Sequence, residues 1–458
     1  MASFLPDWKK WSSRRPFSIA LQTHNRKFNW REINRLVEQQ ASSLSSQGVT
    51  HSCLVTLVGK NSLDLVILYM ACLELGAKCS ILAPQPLALL KDKITTLYKD
   101  AERPFVWVSP IGLESMIATE QDEFNASVIN LALHPAQVDR RPAKSHYLSQ
   151  HIASLIFTSG SSGRPKAVAH TVSQHIASAE GLLERIPFRI GESWLLSLPM
   201  YHVSGLGIVH RWLAAGACMK IGSGDLQCDI EGVTHASLVA TQLQRLLVKQ
   251  QPLNLKLVLL GGSHIPYSLS QQAAQKNIET WVGYGMTEAA STVTAKQIDD
   301  SDTVGTTLPN RELKIVQQTV YLAGKTLACG YYYQGEITSL LDENGWFNTQ
   351  DIGEWVDNEV RILGRKGNMF ISGGENIHCE EIELVLNRHP KVIQSIVVPI
   401  EDEEFGTTSI GLIASESDID SLNLATWLEG KIERFKRPKA FHMLPAELLS
   451  IYGNKNIA

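Results

Sequence analysis

Three clusters of small, hydroxyl-bearing and charged residues stand out in this 458-residue chain. The first is TSGSSGRPKAV, Thr158–Val168. Gly160 and Gly163 permit close backbone approach, and Thr158, Ser159, Ser161, Ser162 and Lys166 bring donors that can surround a phosphate. A plain Ser/Gly turn is the alternative. A Walker A loop is excluded, because two residues rather than four separate the glycines and Ala follows Lys166. The second cluster is GYGMTE, Gly283–Glu288. Tyr284 offers a flat face for a purine, Thr287 a hydroxyl for a phosphate, and Glu288 a carboxylate for Mg²⁺. LLGG, ending at Gly262, could admit a planar ring beside Tyr284. In the third cluster, TQD, Asp351 could accept two ribose hydroxyls. Taken singly, the second cluster and LLGG could be ordinary turns.

These clusters need strand ends to hold them. Between residues 150 and about 285, apolar strands (ASLIFT, KAVAHT, WLLSLP, ASLVA, LKLVLLGG, ETWVGYG) alternate with amphipathic helices. That pattern predicts a mainly parallel sheet covered on both faces, with ligands at the strand ends. From 305 to 365 the texture changes to short strands and turns, with Asn-Gly at 344–345 and Asp-Asn at 357–358. Beyond lie the helix EEIELVLNRH, strands SIVVPI and IGLIAS, and the helix LNLATWLEGKIERF. The fold class expected is α/β. A large domain, 1–365, has parallel-rich sheets, covering helices and a β-barrel-like module at 305–365; a small α+β domain fills 366–458.

A net charge of −4 argues against a nucleic-acid binder. The stretch Leu63–Leu82, broken by Asp64, Glu74 and Lys78, is too polar for an integral membrane segment and reads as core helix plus strand. The N-terminal residues lack the apolar run of a secretory signal. Seven scattered cysteines without CxxC spacing suit a reduced, cytoplasmic setting. Self-association into a homo-oligomer is left open.

In this order, the three clusters resemble the acyl-adenylate-forming family of acyl-CoA synthetases, luciferases and adenylation domains. The resemblance implies ATP, Mg²⁺ and coenzyme A as partners, with a small-molecule carboxylic acid as substrate. Thr158, Ser159, Gly160, Ser161, Ser162, Gly163 and Lys166 would form the phosphate loop. Gly262, Gly283, Tyr284, Gly285 and Thr287 would line the nucleotide, Glu288 would hold the metal, and Asp351 and Arg365 would bind the ribose. Gly367 would be the hinge of a mobile C-terminal domain, or else a plain turn glycine. Lys455 would bridge carboxylate and α-phosphate during adenylation; a solvated terminal lysine is its alternative.

The family's acyl pocket is lined by the segment matching Met200–Gly216 here. His202 would gate the acyl and CoA channels, unless it is a packed core histidine, and Ser204 would contact the substrate. Arg211 lies among Ile208, Val209, Trp212 and Leu213, where a fatty-acid pocket would leave it unpaired at a cost of several kcal/mol. A second substrate carboxylate would satisfy it; a solvent-facing or internally paired arginine is the alternative. Arg245 is the other candidate. No acidic residue occurs from Ser193 to Gly224, which weakens an amino-acid substrate. PMYHVSGLGIVHRWLAAGA, THASLVATQLQRLL, LLGG and GYGMTE are most similar to the bacterial 2-succinylbenzoate–CoA ligases of menaquinone biosynthesis, whose substrate has two carboxylates. The alternatives are a CoA ligase for another aryl or medium-chain acid, a stand-alone adenylation protein loading a carrier, and a silent nucleotide binder.

Overall fold

The computed structural model describes residues 5–85, 87–100, 102–110, 127–129, 143–158, 165–249, 252–261, 265–372, 375–402, 406–415 and 417–444. Two large sheets form its frame. In one, Ile19–Gln22, Cys218–Lys220, Ser193–Leu195, His235–Leu238, Leu257–Leu260 and Glu279–Val282 run parallel in that spatial order, with antiparallel strands at both edges. In the other, Ile152–Thr158, Lys78–Leu82, Leu54–Val58 and Phe105–Val108 are parallel neighbours. The expected parallel-rich architecture is therefore present, carried by strands buried on both faces.

Two helices are buried along almost their whole length. Leu63–Leu75 starts where Ser62 Oγ accepts from the Leu65 amide and stops at Gly76, which takes φ +72°. Val203–Ala215 is buried from Val203 to Leu213 and stops at Gly216 in the same left-handed way. A helix apolar all round belongs in a core, which is why the first of them is no membrane span. Among the described residues no helix is long and apolar enough to cross a membrane.

The stretch 305–365 resolves into an open antiparallel sheet of Arg311–Val316, Thr319–Gly324, Phe347–Val356 and Glu359–Arg365. Gly330–Tyr333 and Glu336–Thr338 leave it and extend the second large sheet beside Lys166–Thr171. This excursion brings distant residues beside the strand that follows the Ser/Gly cluster. Beyond Arg365, Phe370, Ile377, Ile382, Leu386, Val397, Ile413, Leu424 and Leu428 pack into a separate core. The helix expected over LNLATWLEGKIERF is only Leu424–Trp427; Gly430 at φ +70° turns the chain before the basic residues follow.

Candidate active site

Ile152–Thr158 and Lys166–Thr171 pair antiparallel, with Thr158 opposite Lys166. The Ser/Gly cluster thus joins two strands, as its sequence suggests. Ser159, Gly160, Ser161, Ser162 and Gly163 lie outside the described residues, as do Gly262 and Lys455. Thr158 and Lys166 are half-buried at the strand ends. The Lys166 ammonium stands 5.1 Å above the centre of the Tyr331 ring.

Thr287 and Glu288 open a short 3₁₀ turn, Thr287–Ala289, and both are buried. Tyr331 Oη donates to Glu288 Oε1 at 2.9 Å. No cation pairs with Glu288 among the described residues. A buried carboxylate with no cationic partner suits a divalent ion, and Mg²⁺ asks for one or two protein carboxylates beside phosphate and water. The residues present therefore fit Mg²⁺ with Glu288 as its protein ligand. No group of three or more His, Cys, Asp or Glu that could hold a metal occurs among the described residues, so these residues offer no all-protein cage.

Gly283 and Gly285 have a structural reason of their own. A Cβ at Gly283 would come within 2.4 Å of the Thr294 carbonyl, and one at Gly285 within 2.2 Å of the Ser291 carbonyl. Both let the returning segment 291–294 pack against the cluster. The turn into that segment carries strain, with Ala290 at φ +52° and Ser291 at φ +93°.

Tyr284 and Asp351 meet directly: the phenol donates to Asp351 Oδ2 at 2.5 Å. Asp351 is placed by Thr349, whose hydroxyl donates to the Val320 carbonyl and accepts from the Asp351 amide. Opposite it on the neighbouring strand, Arg365 Nε lies 3.6 Å from Asp351 Oδ1 and is half exposed. Burial raises the Asp351 pKa above the usual carboxylate range, opposed by the Tyr284 hydrogen bond and by Arg365. Gly367 sits exposed in the turn Lys366–Asn368, with ordinary φ and no atom within 4 Å of where a Cβ would stand. Nothing in this conformation demands a glycine there.

The acyl side is built differently. His202 precedes the Val203–Ala215 helix, half-buried, its ring 4.9 Å from that of Tyr201; burial lowers its pKa, with Lys93 adding to the effect. Ser204 is buried, and its hydroxyl has no hydrogen-bond partner among the described residues. Arg211 is 3% exposed. It has no hydrogen bond or ion pair among the described residues; its guanidinium lies 5.4 Å from the centre of the Trp194 ring. Burial, reinforced by Arg311, pushes its pKa down to about 9. The side chain folds back one turn, so that a Cβ at Gly207 would stand 3.3 Å from Arg211 Nη2 and 3.4 Å from Ser291 Oγ. Among the described residues Arg211 is thus neither solvent-facing nor paired with an acidic group. Arg245, by contrast, is exposed on Ala240–Val248, because Leu243, Leu246 and Leu247 take the inner face. It lacks the desolvated setting that singled out Arg211.

Residues 8–332 match the family described as AMP-binding enzyme. The chain belongs to the AMP-binding enzyme family. Within that family it is 40% identical over 443 residues to the 2-succinylbenzoate–CoA ligase of Escherichia coli (strain K12), covering 96% of this chain and 94% of that protein. The 2-succinylbenzoate–CoA ligase of Haemophilus influenzae is 38% identical over 454 residues, covering 96% and 94%. Wild-type E. coli MenE with a bound m phenylether-linked analogue of OSB-AMS superposes with a TM-score of 0.83 at 38% identity, covering 97% of each chain.

For this AMP-binding enzyme, sequence spacing missed several residues that the fold brings to the site. Tyr331 is one. A stack of buried histidines is another: His170 is buried with neither ring nitrogen hydrogen-bonded among the described residues, near the Thr287 and Glu288 backbone, His175 is 5.0 Å from it, and His210 stacks on His175 at 4.4 Å. Ser154 bonds His175 and Tyr69 bonds His210. Burial pushes the pKa of His170 and of His210 down to about 3, and lowers that of His175 as well. The stack runs from the Glu288 backbone to the residue preceding Arg211. His170 sits on a strand and His175 and His210 on two different helices, so no local spacing in the sequence hints at the stack.

Proposed function

We propose that this chain is an AMP-forming acid–CoA ligase that activates 2-succinylbenzoate for menaquinone biosynthesis. The observation that carries the choice of acid is Arg211: a buried guanidinium without an acidic partner suits a substrate with a carboxylate to spare. The substrate's reacting carboxylate attacks the α-phosphorus of ATP and pyrophosphate leaves, giving the acyl-adenylate. CoA thiolate then attacks the acyl carbonyl and AMP leaves, giving the thioester.

Lys166 and Thr158 would face the polyphosphate, with Thr287 beside it. Glu288 would hold Mg²⁺, which when bound neutralises charge on the phosphates. Tyr284 would flank adenine, while Asp351, fixed by Tyr284 and Arg365, keeps lone pairs for ribose hydroxyls. His202 and Ser204 would border the acyl group. Lys455 would bridge the two reacting anions, stabilising the charge that develops between them. We divide the chain at Gly367, in line with the separate core that follows; rotation there would exchange Lys455 for the segment 373–375 between half-reactions. A cytoplasmic setting fits these substrates.

The test is a CoA-thioester assay with MgATP and 2-succinylbenzoate, benzoate, 4-coumarate or octanoate. Strong preference for 2-succinylbenzoate is expected. Preference for a monocarboxylate would keep the adenylate chemistry and overturn the assigned acid.

A further inference from the structure

Gly330–Tyr333 departs from the β-rich stretch and pairs with the exit strand of the phosphate loop, Tyr331 opposite Val168. Lys166 and Val168 are two apart and share a face, so Lys166 is the diagonal neighbour of Tyr331 across the ladder. The alternation along this strand fixes the tyrosines' fates: Tyr332 is buried in a core and Tyr333 is exposed, while the half-buried Tyr331 reaches the turn that carries Glu288.

One aromatic side chain therefore touches both charged groups of the phosphate site. Its hydroxyl donates to Glu288 Oε1 at 2.9 Å, and its ring seats the Lys166 ammonium at 5.1 Å. A neutral O–H satisfies one carboxylate oxygen without cancelling its charge. The ring holds the neighbouring cation, which would otherwise be free to pair with that buried anion. We propose that Tyr331 is a positioning residue that keeps Lys166 and Glu288 from pairing with each other, leaving the first for the polyphosphate and the second for the metal. The inference rests on the reading of Glu288 as the metal-holding carboxylate. Tyr331 acts through these two side chains and is not itself a reacting group.

The experiment is calorimetric binding of a non-hydrolysable ATP analogue across a Mg²⁺ series, without acid or CoA. Tyr331→Phe keeps the ring and loses the donor; it should raise the Mg²⁺ midpoint about 10-fold, the scale of a lost partner of a metal ligand, and leave metal-free binding unchanged. Tyr331→Leu loses both contacts and should also weaken the triphosphate analogue relative to AMP. In a Glu288→Gln background, Tyr331→Phe should add little further shift. A Phe variant with an unchanged midpoint, or with equal losses in the presence and absence of Mg²⁺, would reduce Tyr331 to a packing residue and overturn the proposal. If Glu288→Gln itself leaves the midpoint unchanged, the metal reading falls with it. Melting temperature, measured alongside, separates both results from a folding defect.

Discussion

On the nucleotide side of the site the protein's polar groups hold one another. Tyr284, Asp351 and Arg365 form one chain, and Lys166, Tyr331 and Glu288 another. On the acyl side Ser204 is buried with no hydrogen-bond partner among the described residues, and Arg211 is buried with no acidic partner there, only the Trp194 ring at 5.4 Å. Buried polar groups are ordinarily satisfied, and a buried charge is costly unless paired. The contrast separates two tasks. Under the proposed function, the first region would be preset for a nucleotide whatever the acid, and the second would leave its strongest donor for one particular substrate.

The contrast can be broken or sharpened in several ways. Lys455, which lies outside the described residues, would serve where the two reacting anions meet. Lys455→Ala should slow adenylation by about 10²–10³-fold, the cost of one transition-state charge partner, while thioester formation from preformed adenylate keeps most of its rate. Separate assays of the half-reactions check this; equal losses would remove Lys455 from the adenylation step.

The histidine stack linking the two regions gives a pH signature. His170, His175 and His210 have folded pKa values below the unfolded value of about 6.5. The unfolded chain binds the extra protons, so the stabilisation is complete above that value and is lost as pH falls from there toward about 3. His170 and His210 should each contribute about 1.4 kcal/mol per pH unit within that window, and His175 acts in the same direction. Urea unfolding at pH 7, 6 and 5 should show the decline, and His175→Phe should flatten it.

Gly207→Ala would place a methyl against the Arg211 guanidinium and the Ser291 hydroxyl. A rise of about 3–10-fold in KM for the acid, with KM for ATP unchanged, is expected from a small shift of a buried donor. Smallest of all should be the stability cost of Arg211→Met. Removing an uncompensated buried charge should leave the ligand-free protein as stable as before, or more so. A clear drop in Tm would mean that the guanidinium holds the fold together.

Much of this arrangement is legible in the residues. Continuous apolar strands followed by Gly- and Ser-rich turns place the first two clusters at strand ends. The apolar neighbours of Arg211 point to burial, although the residues alone leave a solvent-facing arginine open and the fold decides it. Arg245 shows where composition misleads: its helix is apolar on one side only, and the arginine takes the other. The short Leu424–Trp427 helix follows from Gly430, which the apolar spacing of LNLATWLEGKIERF conceals. Tyr331 meets Glu288 across 43 residues through a strand that changes sheets, and no local pattern encodes such a contact.

The central claim is that Arg211 reads a second carboxylate. Its most direct test compares wild type and Arg211→Met with 2-succinylbenzoate and with the analogue in which the non-reacting carboxylate is methylated. The account predicts a KM for the dicarboxylate about 10–100-fold higher in the variant and an unchanged KM for the ester. Equal changes for both substrates, or none, would contradict it.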